Sequence, residues 1–270
     1  MTLPNLEPLA QRANQGDAQA LETLVANIQD QIHRLALRML ADPVQAEDVT
    51  QDILIRVITK LSTYRGDSAF RTWVYRVATN HLLTTVKRSQ AETMLSFDVF
   101  AADLEAGLVD ENQKAPEDHI LLNELRIGCT MAMLLCLDRP HRIAYILGDV
   151  FELDQGEAVG ILDISKDLYR QRLSRARKKV TEFTARSCGL AGAQNACTCP
   201  KRLPAAIELG RVPSVPSNLM SDAPDYASVR KMALTTEAAL VAAKLQRATG
   251  PLKAQKNFAA ELERIVSLGN

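Results

Sequence analysis

Apolar residues recur at helical spacing along most of this chain. Leu21, Leu24, Val25, Ile28, Ile32, Leu35 and Met39 fall at intervals that build one buried helix face. Gly16-Asp17 ends a shorter helix before it, and Asp17 is placed to cap the long one. Asp42-Pro43 is a stop and a restart. Proline suits a first helical turn, where its missing N–H is not needed, and Asp42 can accept from the free amides. The next helix turns Val49, Ile53, Val57, Ile58 and Leu61 inward. A loop at 62–68 leads to a fourth helix with Phe70, Trp73, Val74, Val77 and Leu82 along one side. Residues 89–115 lack sustained periodicity and read as a linker with room for one helical turn. Pro116 opens a second helical group, with helices at about 117–136, 139–150 and 154–162, then a long one from Ser165 to about Ser187. Residues 188–225 are rich in cysteine and proline and show little periodicity. Helices are predicted at about 226–248 and 252–267, separated by Gly250-Pro251.

The pattern predicts an all-α protein. Aromatics are only 4% of the 270 residues, and β-branched runs are scarce, so a large β-sandwich is excluded. A length of 270 residues suggests about two domains. No stretch approaches the ~18 consecutive apolar residues of a membrane span. The opening MTLPNLEPLAQ has neither a basic start nor an apolar run, so it is not expected to act as a secretory signal. Five cysteines in a chain of this length do not make a disulfide framework, and a cytoplasmic location is expected.

Lysine plus arginine and aspartate plus glutamate each total 32, so the net charge is zero. The distribution carries more information than the total. Residues 91–125 hold 1 basic and 9 acidic side chains, whereas 164–186 hold 8 basic and 2 acidic. A compact basic stretch attracts polyanions, because each neutralised phosphate releases condensed counterions. The basic stretch follows a short helix, in DQGEAVGILDISKDLYRQRLSRAR at 154–177. Ala158, Val159 and Leu162 mark the first helix, Asp163-Ile164 the turn, and Ser165 the cap of the second. Leu168, Leu173 and Ala176 are expected to face the core. Lys166, Arg170, Arg172, Arg175 and Arg177 are left near solvent, as a helix entering the major groove needs.

The string AEDVTQDILIRVITKLSTYRGDSAFRTWVYRVATNHLL at 46–83 adds a second pattern: Glu47-Asp48, Gln51, a helical stretch, a short loop, then Phe70, Trp73, Arg76 and Asn80. It resembles the second conserved region of bacterial RNA polymerase sigma factors of the extracytoplasmic-function (ECF) class. The helix-turn-helix, ending in RLSRAR at 172–177, resembles the fourth region of that family. The proline of Leu137-Asp138-Arg139-Pro140-His141-Arg142, Leu168-Tyr169-Arg170 and Ala158 are departures from the family's usual phrases. The resemblance implies an all-α chain with a region-two bundle at 1–88, an acidic linker at 89–115 and a region-four helix-turn-helix at 116–187. Residues 188–270 fall outside it, and their length and proline-rich start point to a helical, regulatory extension.

On the third helix Asp48, Gln51, Asp52 and Ile55 share a face. The resemblance makes that face, with Arg56, the contact to a coiled coil of core RNA polymerase. It makes Tyr64, Arg65, Asp67 and Ser68 a pocket for a flipped promoter base at the minus-ten element. Arg71, Arg76, Asn80, Lys87 and Arg88 would contact the opened strand and its phosphates. Ser165, Lys166, Tyr169, Arg170, Arg172, Arg175 and Arg177 would read the minus-thirty-five element. Trp73 is expected mainly as core packing. The implied function is promoter recognition, DNA melting and transcription initiation for a signal-responsive regulon. The implied partners are core RNA polymerase, promoter DNA and an anti-sigma factor, with no cofactor, metal, small-molecule substrate or membrane insertion. Cys188, Cys197 and Cys199 leave structural, redox and zinc roles open. No phosphate-binding loop, zinc-protease motif or nucleophile elbow is present, so no enzymatic activity is expected. The alternative is a dimeric helix-turn-helix repressor or activator that binds duplex without polymerase.

Overall fold

The computed structural model describes residues 5–84, 92, 94–109, 118–212 and 223–260. Among these residues every regular element is helical, as the periodicity predicts. In chain order they are α1 (Glu7–Asn14), α2 (Ala18–Leu40), α3 (Pro43–Thr59), a short 3-10 turn (Leu61–Thr63), α4 (Phe70–Thr84), α5 (Phe97–Glu105) and α6 (His119–Leu135). Then come α7 (Arg139–Tyr145), running into a π-type turn (Ile146–Val150), α8 (Gln155–Leu162), α9 (Lys166–Ser187), α10 (Cys199–Glu208), α11 (Tyr226–Leu234) and α12 (Ala238–Arg247). They form two compact units. One takes the described residues of 1–87, 154–166 and 253–270, the other those of 88–153 and 167–252.

In the first unit the caps sit where the sequence places them. The Asp17 carboxylate accepts from the Ala20 N–H at 3.0 Å, and Asp42 accepts from Gln45 at 3.0 Å with Pro43 in the first turn. Between them α2 ends on Ala41 in the left-handed region at φ 53°. That single residue and its capping neighbour reverse the chain, so α2 and α3 pack on each other. Leu24, Ile28, Ile32, Leu35 and Met39 of α2 and Ala46, Ile53 and Val57 of α3 are all nearly inaccessible. Each such aliphatic side chain contributes about 1.5–3 kcal/mol of burial. The Glu7 carboxylate of α1 accepts from the Phe70 N–H at 2.9 Å, so α1 caps α4. Beyond Leu252 the chain is irregular to Asn257 and helical at 258–260. The helix predicted over 252–267 is therefore absent from its first six residues, and 261–267 lie outside the described residues.

The second unit departs from the sequence pattern in three places. First, the stretch predicted as a tether contains α5, whose Phe100 and Leu104 are buried with Met133 of α6 and Phe183 of α9. The Phe100 and Phe183 rings stack at 5.3 Å. Second, α10 forms in a stretch that shows no periodicity in the sequence. Pro200 lies in its first turn, and a further proline, Pro204, interrupts its amide ladder. Third, the helix predicted at 226–248 is two helices, broken at residues 235–237. The extension does not hang free of the rest. Leu203 and Ala206 of α10, Tyr226, Val229 and Ala233 of α11, and Val241 and Leu245 of α12 share one core with Leu121, Leu122 and Leu125 of α6.

Arg142, fully buried, organises the end of α6. Its guanidinium donates to the carbonyls of Leu134 at 2.8 Å, Leu135 at 3.2 Å and Leu137 at 2.8 Å, and to the Glu92 carboxylate at 3.1 Å. Arg139 holds the same carboxylate through two 2.7 Å bonds. Burial alone would raise the Glu92 carboxyl, but the two guanidiniums outweigh it and hold it below its ordinary value of 4.5. Arg142→Ala is expected to cost about 3 kcal/mol in urea unfolding, because three carbonyls lose their donor and a buried carboxylate loses one of its two arginines. A depressed carboxyl contributes stability above its unfolded value and loses it as pH falls through the folded one. Glu92→Gln should therefore flatten the loss of stability below about pH 4.5, and an unchanged acid limb would contradict this.

Candidate nucleic-acid interface

The outward face of α3 is set by what α2 buries. With Ala46, Val49, Ile53 and Val57 turned inward, Asp48, Asp52 and Ile55 are exposed, and Gln51 and Arg56 are half-buried. Ile55 is 41% exposed, high for an isoleucine in a helix centre, and Val44, one turn before Asp48, is 73% exposed. Val44 belongs with the predicted set. Positions 44, 48, 51 and 55 make one helical stripe, a signal present in the sequence but overlooked there. Beside the stripe His81 lies 3.8 Å from Asp52. Burial and then Arg56 push the imidazole below its ordinary value, against the pull of Asp52, so it is neutral at pH 7.

The loop before α4 is pinned by aromatic packing. Tyr64 meets Phe70 edge-on at 5.1 Å and Trp73 at 5.7 Å, and Phe70 stacks on Trp73 at 5.5 Å. The Tyr64 hydroxyl donates to the Ser68 carbonyl at 2.8 Å, closing a turn in which Gly66 takes φ 81°. Arg65 and Asp67 are exposed on that turn, and Ser68 and Tyr64 are half-buried. Phe70 is fully buried, whereas Trp73 is half-buried, so part of the indole stays open to solvent. Arg71 lies over the Tyr75 ring at 5.3 Å, and Asn80 is exposed. Lys87 and Arg88 lie outside the described residues. Arg76 is engaged elsewhere in the same unit. Its guanidinium donates twice to the Gly160 carbonyl of α8, at 2.9 and 2.6 Å. That carbonyl lies in the last turn of α8, where the helix leaves acceptors unpaired.

The segment 154–187 has the predicted helix, turn and helix. Asp154 and Glu157 form a reciprocal capping box, and Asp163 ends α8 at φ 52°. On α9 the core face differs from the predicted one. Tyr169 is 2% exposed and Leu168 is 36% exposed, so the expected core leucine is outside and the expected DNA-contacting tyrosine is inside. The buried series is Tyr169, Leu173, Ala176, Val180 and Phe183, a spacing of four and three in strict alternation. Tyr169 fits there because Gly148 has no side chain. A Cβ on Gly148 would come within 2.6 Å of the Tyr169 hydroxyl. Ser165, Lys166, Arg170 and Arg175 are exposed and Arg172 is half-buried. Arg170 pairs with Asp167 one turn back, and Arg177 is held by the Asp149 carboxylate at 2.5–2.9 Å. Arg177 is thus a structural partner of a buried carboxylate.

Four of the five cysteines, Cys129, Cys188, Cys197 and Cys199, line a cavity of about 260 Å³ with Arg126, Arg202 and Tyr226. Burial pushes Cys197 up to about 11 and Cys199 up to about 12, and raises Cys129 and Cys188. These thiols are protonated at pH 7. Among the described residues no group of three or more histidine, cysteine or acidic side chains is placed to hold a metal ion. No described helix is long and apolar enough to cross a membrane.

The Sigma-70 region 2 family model matches residues 24–92, which span α2 to α4. The RNA polymerase sigma-H factor of Pseudomonas aeruginosa is 30% identical over 181 residues, covering 64% of this chain and 91% of that protein. The ECF RNA polymerase sigma-E factor of Escherichia coli K12 is 29% identical over 176 residues, covering 64% and 90%. This chain belongs to the ECF sigma factors. A solved structure of CnrH in complex with the cytosolic domain of CnrY covers 66% of this sigma factor and 94% of that chain, at 23% identity and a TM-score of 0.46.

Two outcomes follow for this sigma factor. Arg76→Ala should speed amide hydrogen exchange across 155–162 about tenfold, since a charge-assisted hydrogen bond contributes ~1.5–3 kcal/mol. Unchanged exchange would mean that Arg76 does not hold α8. The cavity cysteines should resist iodoacetamide at pH 8 in the native protein and react in urea, with rapid native labelling as the contrary result.

Proposed function

We propose that this sigma factor initiates transcription through three surfaces, each built from residues singled out in its sequence. Asp48, Gln51, Asp52, Ile55 and Arg56, joined by Val44, dock on core RNA polymerase. The support is the exposed apolar-acidic stripe on α3, an arrangement suited to a basic helical partner with an apolar seam. This is the observation that carries the reading. Ile55 and Val44 share one stripe with the acidic and amide groups, which is what an apolar-acidic contact needs.

The turn holding Tyr64, Arg65, Asp67 and Ser68 receives a base flipped from the minus-ten element, and half-buried Trp73 offers its open side for stacking. Arg71, Asn80, Lys87 and Arg88 then hold the displaced strand, with Arg76 available to it once released from Gly160. Ser165, Lys166, Arg170, Arg172 and Arg175 read the minus-thirty-five element as duplex. Tyr169 supports that helix from within, and Arg177, exposed but paired with Asp149, ties it down from outside. Residues 1–88 serve as region two, 116–187 as region four and 89–115 as the acidic linker between them, with 188–270 as the extension. The reading places the protein in the cytoplasm and gives it no chemistry of its own, since the polymerase performs phosphoryl transfer. An anti-sigma factor is a further partner, and the signal-responsive regulon follows from it.

Ile55→Glu and Asp52→Lys should each weaken binding to purified core polymerase by at least about tenfold, the scale of ~1.4 kcal/mol. Their thermal midpoints should stay at the wild-type value, because both positions are exposed. Wild-type affinity in both variants would contradict the docking face.

A further inference from the structure

The C-terminal segment bonds to the acidic end of the α2–α3 pair. The Ala254 N–H donates to Asp30 Oδ1 at 3.3 Å, the Gln255 N–H to Glu47 Oε1 at 3.2 Å and the Phe258 N–H to Gln29 Oε1 at 3.1 Å. Lys256 Nζ lies 3.6 Å from Glu47 Oε2 and 4.0 Å from Asp48 Oδ1. Phe258 is 1% exposed and Ala259 5%. All of these groups belong to the first unit, although more than two hundred residues separate the segment from Gln29 and Asp30.

We infer that residues 253–260 are an intramolecular plug that competes with core polymerase for the acidic end of the α3 docking face. The chemistry makes the two occupants alternatives. Carboxylates only accept, and here Glu47 takes the Gln255 amide and the Lys256 ammonium, while Asp48 meets that ammonium alone, at 4.0 Å. A basic helical partner would offer the same kind of donors to the same oxygens. Within the irregular run from Lys253 to Asn257, the Ala254 and Gln255 amides donate to side chains of α2 and α3. Asp52 and Ile55, farther along α3, remain exposed. They give the polymerase a foothold from which to displace the segment.

The plug is built to be displaced. The cation that pairs with α3, Lys256, is 42% exposed and its ion pairs are long, so salt and a more highly charged competitor both weaken them. A protein whose competent state is only a fraction of the total binds its partner more weakly by that fraction. The inference rests on the reading of α3 as the polymerase contact.

The test uses the full-length chain as wild type, Lys256→Glu, Phe258→Ala and Ile55→Glu. Affinity for core polymerase is measured for each, with amide exchange at 254, 255 and 258 followed without polymerase. The plug predicts faster exchange at those amides in the two segment variants, and binding about tenfold tighter than wild type. Lys256 is an exposed position, so its variant keeps the fold if Phe258→Ala does not. Released amides with unchanged or weaker affinity would overturn the plug alone, provided Ile55→Glu still loses binding. If Ile55→Glu binds core as wild type does, the docking face itself fails and the plug with it.

Discussion

The packing of α2 on α3 is the constraint on which the candidate polymerase contact depends. A left-handed Ala41 and a capping Asp42 fold the chain back within two residues. The two helices then bury their aliphatic faces on each other. That burial fixes the rotation of α3 about its axis, because slipping by one residue would bring Asp48 or Asp52 into the core. The outward stripe of Val44, Asp48, Gln51 and Ile55 is therefore a consequence of the inward one. The same unit presents the aromatic turn before α4, whose first amide is satisfied by Glu7 from α1.

Carboxylates and guanidiniums do a different task in the second unit. Glu92 and Asp149 are nearly inaccessible; Glu92 is held by two arginines remote in sequence and Asp149 by one. Breaking such a pair leaves a buried charge without a partner, which costs more than the intact pair contributes. The arginines of these pairs are therefore held in place, Arg177 with about half of its side chain still exposed. The extension adds α10, α11 and α12 to the α6 core, and its protonated thiols belong to that packing.

Local signals were legible wherever the chemistry is local. Asp17 and Asp42 lie within a few residues of what they stabilise, and the first four helices follow the sequence pattern. Legibility failed where partners are distant or where residue type misled. Leu168 reads as core by composition, yet the spacing 169, 173, 176, 180 and 183 points to Tyr169 instead. The aromatic pair of Phe100 and Phe183 spans more than eighty residues, so α5 is invisible from its own acidic neighbourhood. Two prolines hide α10, and residues 235–237 divide a helix that periodicity alone would run on. The α3 face was legible because it is one helix and one period. The bonds of Arg76 to Gly160 and of Ala254 to Asp30 were not, since nothing in either segment encodes its partner.

On the proposed function, these surfaces act together on polymerase to select promoters. Run-off transcription with purified bacterial core polymerase and a library of upstream DNA, with and without the full-length protein, tests it most directly. The account predicts discrete start sites that appear only with the protein and share two upstream elements. Tight binding of duplex by the protein alone, with no transcript at any salt concentration, would contradict it.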